Sequence, residues 1–178
     1  MKNQWRVWVT IATAYTMTDC ATQDIECDFV ADGFCVVTNG YPTRPEMVSY
    51  EIGLVQEKFN QFYDTRENPL VLGLLGEEHD IVINFVPREE VPENARGFCY
   101  RNENRIDVNW VDDIPSAQCQ ESYYVLGHEL LHVIAFKYMG GLSGHDIHPL
   151  FFADEGDSVE RQVWIDTAKT CEFMNWSW

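Results

Sequence analysis

Apolar residues recur along this chain with two different periods. From Val48, steps of four, three, four and three lead through Ile52, Val55 and Phe59 to Phe62. That is the one-sided stripe of an amphipathic helix. Thr43 and Glu46 stand at capping-box spacing with Pro45 in the first turn, so the helix is expected to run from about Thr43 to about Tyr63. Residues 79–87, HDIVINFVP, carry the β-branched and aromatic run of a strand that ends at Pro87. Residues 97–110 read as a hairpin: Phe98 to Tyr100, a polar turn at Asn102 to Asn104, then Ile106 to Trp110 with alternating apolar positions.

A loop with Pro115 follows, and then a second helix. Ser122 is its expected cap and Gly140 its expected stop, and its apolar residues cover most of its circumference, so it should be buried. A last helix is expected from about Asp154 to Cys171, with Val159, Val163, Trp164 and Ala168 on its inner face. The order helix, strand, hairpin, helix, loop, helix predicts an α+β fold with a small mixed or antiparallel sheet, not alternating β–α–β units.

The 178 residues suit one domain, residues 20–178, preceded by a candidate leader over 1–19. Lys2 and Arg6, an apolar run from Val7 to Met17 and then Cys20 follow the order of an export signal, with Cys20 as the candidate lipid anchor. The alternative for residues 5–14 is an ordinary first strand. Residues 20–44 are rich in turn formers and read as an irregular arm pinned by a disulfide. The six cysteines include no CxxC pair. Their spacing suggests bridges Cys27–Cys35 and Cys99–Cys119, and so an oxidising, exported location. The net charge of −17, from 29 acidic and 12 basic residues, argues against nucleic acid and anionic membrane as partners. No stretch reaches transmembrane length without charges.

Chemistry enters with HELLH in the second helix. His128 and His132, four residues apart, present two imidazoles to a common point, the arrangement that holds a zinc ion. Glu129 lies beside that point as candidate general base for a zinc-activated water. In a buried helix, two histidines and a glutamate are costly without a task.

A catalytic HExxH site with one Zn2+ per chain needs a third ligand. The metzincin pattern is excluded, because Ala135 and Tyr138 stand where it needs Gly and His. Two resemblances remain. GHDIHPLFF resembles the SprT-like metallopeptidases, which implies His148 as ligand and His145 as a neighbour. PLFFADEGDSVE resembles the gluzincins, the thermolysin-like group, which implies Glu155 as ligand at the start of the last helix. Glu155 is preferred, because it matches over more positions and is anchored on a helix; His148 and then His145 stay as alternatives. The gluzincin resemblance implies a minimal zincin domain: backing helix, small sheet, HExxH helix and C-terminal ligand helix. It further implies hydrolysis of peptide or protein substrates, with His145 or His148 as oxyanion partner and the strand Ile106 to Trp110 pairing with extended substrate. The competing reading is a secreted, disulfide-stabilised binding or structural domain whose zinc site is inactive or absent.

Overall fold

In the computed structural model, residues 25–111, 115–139, 151 and 158–173 are described. The candidate leader, Cys20, and residues 140–150 and 152–157 lie outside them. The strands are β1 (Phe29–Ala31), β2 (Phe34–Val37), β3 (Val82–Val86), β4 (Gly97–Tyr100) and β5 (Arg105–Asn109). The helices are α1 (Pro45–Phe62), α2 (Leu72–Glu78), α3 (Pro115–Val133) and α4 (Val159–Phe173). A π-helical turn, Ile134–Tyr138, continues α3.

The sheet order is β1-β2-β3-β5-β4. The two outer pairs are antiparallel, whereas β2–β3 and β3–β5 are parallel. The α+β expectation holds, and the sheet is mixed. Alternate residues of the three central strands point the same way: Phe34 and Val36, Ile83 and Phe85, Ile106 and Val108, all fully buried. Helix α3 packs on β4 and β5, and α1 on β1; α4 packs on α1 and α3. Among the described residues, no helix is long and apolar enough to cross a membrane.

Several local expectations change. The capping box at Thr43 does not form: Arg44 is the N-cap, with no side-chain cap bond. The Arg44 N–H donates instead to the Tyr123 hydroxyl of α3 at 3.2 Å, so a tertiary contact replaces the local one. Ser122 does not cap α3, which starts earlier, at Pro115; buried inside the helix, Ser122 accepts the Val111 N–H at 3.4 Å. Residues 20–44 are not all irregular. Asp32 and Gly33 both take positive φ, the conformation of a two-residue hairpin turn between β1 and β2. Phe62 and Trp164 were expected inside and are exposed.

The Cys27–Cys35 bridge forms as expected, whereas Cys99 is free and Cys119 pairs with Cys171. The reason is helix length. The Cys99 backbone lies beside Glu129, ten residues along α3 from Cys119, and ten residues span about 15 Å of helix. Cys119 meets the far end of α4 instead. Closing a loop of this size stabilises the fold by about 4 kcal/mol in the chain-entropy picture.

One carboxyl is locked between the three long helices. Glu51 of α1 is fully buried, and Thr167 Oγ1 of α4 lies 2.9 Å and 3.1 Å from its two oxygens. Across from it, α3 presents Gly127, where a Cβ would sit 2.3 Å from Glu51 Oε1. Only glycine lets α3 come this close. Thr167 Oγ1 also donates to the Val163 carbonyl at 2.9 Å. Thr167 Oγ1 has one proton to share between the Glu51 oxygens and the Val163 carbonyl, and its bond to Glu51 only partly opposes the effect of burial. Burial pushes the Glu51 pKa up to about 8, from 4.5.

Between pH 4.5 and about 8 the folded chain therefore holds a proton on Glu51 that the unfolded chain has released. In that window this group makes stability fall as pH rises, by up to about 1.4 kcal/mol per pH unit. Glu51→Gln, a mimic of the protonated form, is expected to match the wild type near pH 4.5. It should melt several degrees higher at pH 8. Parallel thermal melts of the two proteins across this range check it; an unchanged gap between them would refute the protonated buried carboxyl.

Candidate active site

Among the described side chains from Ser122 onward, the surface of α3 and the turn that continues it as far as Phe136 is buried except along one stripe. Tyr124, His128, His132 and Phe136 are half-buried, while Leu126, Leu130, Leu131 and Val133 are in the core. The stripe advances by four residues, close to one helical turn, so its members stack along one side. They line a cavity of about 530 Å³, closed on the other side by residues 94–99 and by Glu160 of α4. The apolar residues of α3 hold the helix in the fold, and the polar stripe is what remains for chemistry.

Within the stripe the two imidazoles converge. His128 Nε2 and His132 Nε2 lie 3.2 Å apart. Two nitrogens bound tetrahedrally to one zinc at about 2.0–2.1 Å stand about 3.3–3.4 Å apart. The pair therefore fits a zinc ion with only a small opening. His132 stacks on Phe136, ring centroids 5.9 Å apart, which fixes its plane. His128 Nδ1 lies 2.9 Å from Glu160 Oε1, and the Tyr124 hydroxyl donates to the same oxygen at 2.5 Å. Burial, followed by the Glu160 carboxylate, drives the Tyr124 phenol well above its ordinary pKa, so it remains a donor.

Glu129 sits one residue round the helix and is 5% exposed. Burial raises its carboxyl to about 7, against the opposing pull of the His128 imidazole and the Cys99 backbone N–H. The close approach of β4 makes that contact. At Gly97 a Cβ would lie 2.5 Å from Val125 Cγ1 and 3.0 Å from Glu129 Cγ, so a larger residue would push the strand off the helix. The free Cys99 thiol also lines the cavity; burial and then Glu129 raise its pKa, which keeps it a protonated, poor nucleophile.

Of the residues singled out from sequence, His128, Glu129 and His132 are together at one cavity. Glu155, His148 and His145 lie outside the described residues. Among the described residues, no group of three His, Cys, Asp or Glu side chains is arranged to hold a metal. The acid that reaches His128 is Glu160, which sequence reading did not single out; Tyr124 was missed with it. Tyr124 shares the four-residue step of the histidines and was legible in principle, whereas Glu160, 32 residues from His128, carries no local signal.

The strand expected to pair with substrate must also change. β5 lies between β3 and β4, so both its edges are occupied. Among the described residues, β4 is the unpaired edge of the sheet, and it lines the cavity. Arg96 accepts the Asn109 N–H at 2.9 Å, and Phe98 faces Asp107 in register. In antiparallel alternation the backbone groups of Gly97 and Cys99 then turn outward, toward α3 and the cavity.

Compared with known proteins, the chain matches no protein-family model, no curated protein and no solved structure.

Proposed function

We propose that this chain is an exported, zinc-dependent metallopeptidase of the small gluzincin type. The observation that carries the reading is the 3.2 Å separation of His128 Nε2 and His132 Nε2, on a buried helix, with Glu129 at the same cavity. His128 and His132 would hold the metal, with Glu155 as third ligand. When bound, zinc supplies Lewis acidity and a water activated near neutral pH.

The chain's own groups do the remaining work. The open edge of β4 orients an extended peptide by backbone pairing, with the scissile carbonyl at the cavity floor. Glu129 takes a proton from the attacking water as its oxygen bonds to the carbonyl carbon. It then delivers that proton to the amide nitrogen as the C–N bond breaks, leaving a free acid and a free amine. The two disulfides among the described residues fit an oxidising, extracellular location.

Two outcomes are expected. Purified wild type should bind one zinc per chain and hydrolyse casein or a peptide library, with activity removed by chelator. Glu129→Gln should keep the zinc and lose turnover by about 10²–10⁴-fold. Stoichiometric zinc without any turnover that Glu129→Gln abolishes would favour a binding or structural domain instead. For the third ligand, Glu155→Ala should lose zinc while His148→Ala retains it, measured by metal analysis after dialysis. The reverse pattern would move the ligand to His148.

A further inference from the structure

Two donors converge on a single oxygen of Glu160. Tyr124 reaches Oε1 from one turn before His128 on α3, and His128 Nδ1 reaches the same atom. The contact is sheltered: the His128 and Glu160 side chains are 22% and 18% exposed. Four residues after Glu160 on α4, the Trp164 ring stands edge-on to the Tyr124 ring, centroids 6.5 Å apart. Trp164 is half exposed, yet it confines the tyrosine whose hydroxyl meets Glu160.

We infer that Tyr124 and Glu160 form a tautomer clamp: they hold His128 protonated at Nδ1, so that its Nε2 lone pair is presented to the centre it shares with His132. The reasoning is one of donors and acceptors. A carboxylate oxygen only accepts. An Nδ1 lone pair at 2.9 Å would face oxygen lone pairs and be repelled, whereas an Nδ1–H donates to them. A neutral imidazole carries one proton, so Nε2 is left with the lone pair a metal requires. The carboxylate also fixes the ring plane. Tyr124 holds Glu160 in place for this task, since its hydroxyl has the same oxygen as partner. Both are positioning residues: they act through His128.

The clamp rests on the metal-site reading for its purpose, but it can be observed without metal. In the metal-free full chain labelled with 15N-histidine, long-range proton–nitrogen spectra should show His128 as the Nδ1–H tautomer. In Tyr124→Phe and Glu160→Gln the Nδ1–H share should fall, with the amide fingerprint otherwise retained. Zinc affinity, measured by chelator competition, should weaken by about 10–100-fold in Glu160→Gln and by less in Tyr124→Phe. Tyr124→Phe removes one hydroxyl and keeps the test alive if Glu160→Gln fails to fold. An Nε2–H tautomer in the wild type overturns the clamp. So does a wild type that binds zinc, but no more tightly than either variant. A wild type that binds no zinc, yet shows Nδ1–H at His128 and loses it in the variants, supports the clamp and overturns the metallopeptidase reading instead.

Discussion

The site depends on one constraint: from Ser122 onward, α3 is buried on every side but one. Helix α1, helix α4 and the β4–β5 hairpin each press on it. That enclosure leaves the stripe of Tyr124, His128, His132 and Phe136 facing the cavity. The tightest approach is at Gly127, one residue before the first histidine, where Glu51 and Val163 crowd the position of an absent Cβ. A longer side chain there would push α3 away from α1 and α4. The reach from Glu160 to His128 depends on that spacing, so the packing that stabilises the fold also sets the geometry of the polar stripe.

The polar groups around α3 are organised by the same enclosure. Glu51 behind the helix and Glu129 beside the cavity are both carboxyls lifted by burial, to about 8 and about 7. Their surroundings differ. Glu51 meets a threonine and apolar chains, so its proton is structural. Glu129 lies beside an imidazole and a backbone N–H and lines the cavity, so its carboxyl faces whatever enters there. One physical effect, desolvation, gives a lock on one side of the helix and a candidate acid–base group on the other.

The edge of the sheet completes the arrangement. Short, glycine-led β4 can lie against α3 because Gly97 has no side chain to hold it off. Among the described residues, the unpaired edge of β4 thereby stands beside the imidazoles, with the Cys99 N–H turned to Glu129. The disulfide from Cys119 to Cys171 ties the first part of α3 to the last part of α4. Both helices that contribute to the Tyr124, Glu160 and His128 cluster are thus covalently linked.

By itself the sequence determined what local period and chemistry can determine. The stripe from Val48 to Phe59, the strand within 79–87 and the hairpin within 97–110 were legible because each repeats a spacing that one element imposes. HELLH was legible for the same reason, since four residues along a helix bring two side chains to one face. The tertiary structure decided what distance along the chain conceals. Tyr123 rather than Thr43 satisfies the start of α1; Cys119 finds Cys171 because α3 carries it away from Cys99; β4 rather than β5 is the open edge because β5 is enclosed on both sides. Glu160 meets His128 only because α4 packs across α3. Contacts between elements depend on how helices and strands pack, and no single segment encodes that.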